Sequence, residues 1–180
     1  MLRFFEVNMS EQMIKELSAK QAISETLARY CRGLDRMDKA MAYAVFHPNA
    51  EVDYYGIFQG TGHAFVDWVW QAHAVMQSHS HQITNTLIQV DGDIAVSEAY
   101  VTVTLQFDSR EADNFTETLA RGRYLDRWCR YQDRWVIDSR LHIVDAQSTY
   151  QPSDMSKAEE SRRDTDDPSF KFFQAAGFSI

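Results

Sequence analysis

Residues 78–107 read SHSHQITNTLIQVDGDIAVSEAYVTVTLQF, two long runs, Ser78–Val90 and Ile94–Phe107, joined by Asp91-Gly92-Asp93. Val, Ile, Thr, Tyr and Phe recur in both arms, and such residues suit a pleated, half-buried surface. Gly92 supplies the backbone freedom a tight hairpin needs. Two more runs, Leu119–Tyr131 and Arg134–Val144, meet at Gln132-Asp133, a second plausible hairpin connection. The second half of the chain therefore predicts a meandering antiparallel sheet.

Upstream the period changes. From Ser18 to Leu34, the residues Ile23, Leu27, Tyr30, Cys31 and Leu34 fall three and four apart, the stripe of an amphipathic helix, with Gly33 at its frayed end. Asp38 then reads as the N-cap of a short helix, Lys39–Phe46. His47-Pro48-Asn49-Ala50 breaks it, Glu51–Gly60 reads as strand, turn and strand, and Thr61–Gln77 forms a third helix with Phe65, Trp68, Val69 and Ala72 on one spacing. Helices first and a meander afterwards is the order of an α+β domain. Three N-terminal helices would pack on a strongly curved, mostly antiparallel sheet that wraps the first helix and leaves a pocket. The domain is expected over residues 18–149, after an N-terminal extension, 1–17, in which Met9 offers an alternative start. Residues 150–180 would form a C-terminal tail, lid or dimer arm. Gln151–Asp167 is polar and without apolar period, whereas Phe170, Phe172, Phe173 and Phe178 should dock on the pocket mouth or on a partner subunit.

The 180 residues suit one domain, and 44% hydrophobic with 13% aromatic residues describes a folded chain. A net charge of -8 opposes binding to nucleic acid. Cys31 and Cys129 lack metal-ligand spacing and make no disulfide framework. Neither a signal peptide nor a membrane-length apolar run is read, so a cytoplasmic protein without a membrane partner is expected.

Tyr30-Cys31-Arg32-Gly33-Leu34-Asp35-Arg36-Met37-Asp38, followed by Phe46-His47-Pro48-Asn49-Ala50, resembles the opening of SnoaL-like proteins of the nuclear transport factor 2-like superfamily. Gly122-Arg123-Tyr124-Leu125-Asp126-Arg127-Trp128, then Arg134-Trp135-Val136-Ile137 and Arg140, resembles that family's paired last strands. The likeness runs from about Gln21 to Gln147 and returns weakly at Arg163–Pro168. It implies a cone-shaped α+β barrel. The lyase branch of that superfamily, with scytalone dehydratase, hexachlorocyclohexane dehydrochlorinase and bile-acid dehydratase, uses an Asp at the end of the first helix and a His on the first long strand. The matching positions here are Asp35 and His81. The resemblance implies proton abstraction and elimination without a cofactor, on a small hydrophobic cyclic or aromatic molecule of the kind met in polyketide or aromatic-compound metabolism. Isomerases and non-catalytic modules, including dioxygenase β subunits, share the scaffold.

The chemistry fits the residue types. A carboxylate at a helix C-terminus is disfavoured by the macrodipole and calls for a compensating partner. An Asp–His pair works because the carboxylate fixes the imidazole tautomer and stabilises the imidazolium, making His81 the base and Asp35 its orienter. Tyr30, on the inner stripe of the first helix, could polarise a substrate oxygen. His79, His81, Ile83, Asn85 and Leu87 share a strand face by alternation, which puts His79 and Asn85 beside the base. Tyr54 and Trp68 are candidates for the pocket wall, with Tyr124, Arg123 and His142 from the last strands. On the penultimate strand, one parity (Gly122, Tyr124, Asp126, Trp128) and the other (Arg121, Arg123, Arg127) divide between cavity and subunit surface. A metal at His79 and His81 would need His142 or Asp145 as third ligand, and none is expected. His47, His63 and His73 should face solvent. The outer sheet face, with Tyr100, Trp128 and Tyr131, would bury against a second copy in a homodimer.

Overall fold

The computed structural model describes residues 2–108, 115–152 and 161–178. Its elements follow in the order α1 (Leu2–Asp35), α2 (Lys39–Ala44), β1 (Phe46–Tyr54), β2 (Phe58–Thr61), α3 (Gly62–Ala74), β3 (Ser78–Asp91), β4 (Ile94–Asp108), β5 (Phe115–Tyr131), β6 (Arg134–Tyr150) and α4 (Pro168–Ala175). The strands form one six-stranded sheet, β2-β1-β6-β5-β4-β3. Among the described residues only the β1–β6 pairing is parallel. The first three helices pack on this curved, unclosed sheet as a cone, the fold class expected.

Local chemistry explains the elements. Asp38 accepts the Met41 N–H at 2.9 Å and starts α2, and Thr61 accepts the Ala64 N–H at 3.2 Å and starts α3. Gly92, at φ 58°, turns the β3–β4 hairpin. Gln132 and Asp133, both at positive φ, turn β5 into β6. The core runs along the expected stripe of α1, where Ile23 and Tyr30 are fully buried and Leu27 and Leu34 nearly so.

Several boundaries differ from the sequence reading, three of them most. The first helix begins at Leu2, well ahead of Ser18. Its early turns are rich in helix formers and carry i,i+4 support such as the Lys20–Glu16 ion pair at 2.6 Å, although Met13, Ile14 and Leu17 remain largely exposed. The segment around His47-Pro48 is part of β1, held beside β6 from Phe46 onward despite a register shift before Glu51. The end of the chain forms a capped helix, α4, with Pro168 in its first turn and Asp167 as N-cap. Residues 153–160 of the expected polar tail lie outside the described residues.

Candidate active site

Asp35 is the last residue of α1, and His81 lies near the start of β3, which forms an edge of the sheet. The two meet through both carboxylate oxygens. His81 Nδ1 donates to Oδ1 at 2.7 Å, and the His81 backbone N–H donates to Oδ2 at 3.0 Å. A strand at the edge of a sheet has N–H groups with no ladder partner, and Asp35 takes one of them. Two donors also offset the unfavourable helix end. Because an ionised carboxylate only accepts, a ring proton on Nδ1 faces it, and in the neutral ring Nε2 then carries the lone pair. No described residue bonds to Nε2. The side chains are 6% (His81) and 13% (Asp35) exposed, so little water competes with the bond.

Deeper in the cone lies a polar cluster walled by aromatics. Arg140 grips Asp126 through Nε at 2.7 Å and Nη2 at 2.8 Å, both residues buried. The guanidinium packs over the rings of Tyr124 at 4.0 Å and Tyr30 at 4.3 Å. The Tyr30 and Tyr54 hydroxyls are 2.7 Å apart, and Arg140 Nη1 reaches Tyr54 at 3.5 Å. Burial raises the pKa of all three phenols, so each stays a neutral donor. For Arg140 burial opposes the charge, and Asp126 together with the Tyr54 and Tyr30 hydroxyls holds its pKa well above the usual guanidinium value. The pairing of Arg140 with Asp126 was not read from the sequence. Its signal was the shared inner parity of Asp126 and Tyr124, one strand away from Arg140.

His142 joins this interior from β6, its ring 5.1 Å from Tyr54 and 5.2 Å from Tyr124. Its Nδ1 is buried with no partner among the described residues, and burial, then the charge of Arg140, lowers its pKa to about 4. Gly122 makes room for it, since a Cβ there would come within 2.1 Å of the Ile143 carbonyl oxygen and 3.2 Å of His142 Nε2. Tyr54 stacks on Phe65 at 3.8 Å, and Trp68 lies over Phe58 and Phe65 while 39% exposed.

Other candidates sit elsewhere. Asn85 is exposed at φ 34°, in a bulge between Thr84 and Thr86 that reverses the alternation of β3. Beyond it Ile88 and Val90 pack on the core, and Leu87 is 64% exposed. Arg123 is on the outer face, donating to Asp145 at 2.9 and 3.0 Å and to Glu98 at 3.0 Å. Trp128, expected on the outer face, is fully buried and donates to Ser97 at 2.8 Å, because it shares the inner parity of Tyr124. His73, expected in solvent, is 4% exposed and packs on His79 with centroids 4.0 Å apart and the rings tilted by 36°. His79 uses both nitrogens, bonding the Leu34 carbonyl at 2.8 Å and Arg163 at 3.2 Å. Among the described residues, no three His, Cys, Asp or Glu side chains are grouped to hold a metal ion.

Clefts also open away from the pair. One of about 890 Å³ lies between α1, α2 and the β5–β6 turn, lined by Ala22, Met41, Arg130 and Trp135, and one of about 430 Å³ lies on the outer face beside Leu87 and Val96. Neither includes Asp35 or His81.

A cone of helices on a curved sheet, with an Asp–His pair where the first helix meets the edge strand, defines a class of α+β domains. Residues 15–141 match the SnoaL-like domain, and the chain belongs to that family. The fold is shared with a hexachlorocyclohexane dehydrochlorinase, LinA type 2 (TM-score 0.68, 14% identity, 79% of this chain and 95% of that one). It is shared also with a candidate scytalone dehydratase from Novosphingobium aromaticivorans (TM-score 0.66, 18% identity, 81% and 97%). A third structure, a single-residue variant of a Mycobacterium tuberculosis protein of unknown function, is 27% identical (TM-score 0.60, 76% and 75%). No curated protein matches the sequence. Among the described residues no helix is long and apolar enough to cross a membrane.

Proposed function

We propose that this protein is a cofactor-independent lyase in which His81 Nε2 removes a proton from a carbon next to a leaving group, with Asp35 holding the ring. The observation that carries the reading is the two-point grip of Asp35 on the side chain and backbone of His81, which leaves Nε2 as the available base. As the C–H bond breaks, its electrons form the new C=C bond and expel the β substituent. The proton on Nε2 then leaves with a departing hydroxyl as water. Asp35 stabilises the imidazolium in between. Buried, neutral phenols at Tyr30 and Tyr54 are suited to hydrogen bonding a substrate oxygen, and the aromatic surroundings of Tyr54, Trp68 and Tyr124 suit a small hydrophobic cyclic or aromatic molecule. His142 adds a neutral imidazole.

The test is a panel of β-hydroxy and β-chloro cyclic compounds, followed by mass spectrometry for loss of water or hydrogen chloride. His81→Ala should lower turnover on the order of 10²- to 10⁴-fold, the usual worth of a positioned base. Asp35→Asn should lower kcat with a smaller change in KM. Full turnover by His81→Ala would remove the assignment. A product that keeps every atom and moves a double bond would make the protein an isomerase of the same site.

A second reading, a non-catalytic ligand-binding module, draws on the tight interior: Tyr30 has no exposed surface, and Tyr54 is sealed against Phe65. A panel compound that binds and is not converted, with affinity indifferent to His81→Ala, would favour it. Under either reading the protein is proposed to act in the cytoplasm as a homodimer through the outer sheet face around Tyr100, and light scattering that returns a monomer would count against the dimer.

A further inference from the structure

Residues 161–178 return to the end of α1 that carries Asp35. Arg36 donates to the Arg162 carbonyl at 2.7 Å and pairs with Asp167 at 3.5 Å. Asp167, itself buried, accepts the Arg162 N–H at 3.1 Å, while Arg32 donates to Ser169 at 3.2 Å and lies over the Phe170 ring at 4.9 Å. Arg163 is thus set at a fixed place, and it points away from α1 toward the α3–β3 turn. Its Nη1 donates to the His73 carbonyl at 2.9 Å and to His79 Nδ1 at 3.2 Å, and its Nη2 donates to the Met76 carbonyl at 2.5 Å. The His73 carbonyl, in the last turn of α3, also accepts the Met76 N–H at 3.1 Å, and the Met76 carbonyl lies in the turn beyond it.

The consequence lies in the ring of His79. A guanidinium only donates, so Nδ1 of His79 must accept and Nε2 must carry the proton. That proton goes to the Leu34 carbonyl at 2.8 Å. Leu34 precedes Asp35, and His79 stands two residues before His81. The His79 ring therefore ties the backbone of α1 to that of β3 immediately beside the bonds that Asp35 makes to His81. Groups that orient the partner of a reacting residue set its geometry, and small displacements there cost rate.

We propose that Arg163 is a positioning residue for the Asp35–His81 pair, acting through the tautomer of His79 and the Leu34 carbonyl. It rests on the reading of that pair as the working site, but its test needs no substrate. The full chain, labelled with nitrogen-15, is compared with Arg163→Ala, Arg163→Lys and His79→Gln by imidazole proton–nitrogen correlation at neutral pH. In the unaltered protein His79 reads as the Nε2–H tautomer and His81 as Nδ1–H, with a slowly exchanging Nδ1 proton. Arg163→Ala is expected to average the two His79 tautomers and to speed exchange of the His81 Nδ1 proton at least tenfold. Arg163→Lys, keeping one donor, should fall between. His79→Gln, whose amide can take the place of the Nε2 donor, should keep the slow His81 proton. Where Arg163→Ala does not fold, the Lys and Gln variants carry the test. If the His81 proton signal and its exchange are unchanged in Arg163→Ala or Arg163→Lys while only the melting temperature drops, Arg163 is a structural tie and the proposal is overturned. Should the spectra behave as expected and no lyase activity be found, the positioning stands and the lyase reading falls alone.

Discussion

Arg140 and Arg123 make the same chemical gesture on opposite faces of one sheet. Arg140 holds Asp126 inside the cone with no side-chain exposure on either partner, and Arg123 holds Asp145 and Glu98 on the outer face in contact with water. By count of bonds the outer arginine is the better served. Energetically the order reverses, because removing one partner of a buried pair strands a charge where water cannot reach it, while water replaces a lost partner outside. The value of an ion pair here is set by which face its strand position points to.

That contrast can be broken most forcefully at Arg140. Arg140→Ala should destabilise the protein by about 3–5 kcal/mol in urea denaturation. Arg140→Leu combined with Asp126→Leu should recover much of that loss, since the cost comes from the stranded charge. A loss below about 1 kcal/mol for the single change would mean that water reaches the cluster.

The next effect concerns room. Gly122→Ala should cost about 1–3 kcal/mol, because the new methyl meets the backbone oxygen of Ile143, which cannot swing aside. A variant of unchanged stability would show that the β5–β6 register can shift.

Buried imidazoles come next. Burial lowers His79 and His142 to about 4, and His73 further still. Unfolded histidines take their proton near 6.5, so between about 6.5 and 4 the unfolded chain binds more protons than the folded one. Stability is therefore full above that window and falls as pH drops through it, by on the order of 2 kcal/mol per histidine at pH 5. Equal denaturation midpoints at pH 7 and pH 5 would contradict this. The smallest effect belongs to Arg123→Ala, whose midpoint should stay near that of the unaltered protein and respond little to salt.

Much of the fold was legible because it is local. The hairpin at Asp91-Gly92-Asp93, the cap at Asp38 and the stripe through Ile23, Leu27 and Tyr30 each depend on residues within a few positions of one another. The candidate site was legible in part. Alternation separated Tyr124 from Arg123 without saying which parity faced inward. It misplaced Asn85, since one bulge residue reverses a face and carries no compositional mark. His73 looked solvent-facing because the ring it packs on, that of His79, comes from β3 and not from its own helix.

By itself the sequence determined the order of the first three helices and the six strands, the turns that join them and the family resemblance, since these follow from period and from backbone preferences at short range. Tertiary structure alone decided that the Asp35 carboxylate meets both the ring and the backbone of a histidine 46 residues on, that Arg140 rather than Arg123 is buried, and that the C-terminal segment returns to grip the end of α1. Those contacts depend on how far the sheet curves and on which edge α1 docks. Both are properties of the assembled core, which no short window of sequence contains.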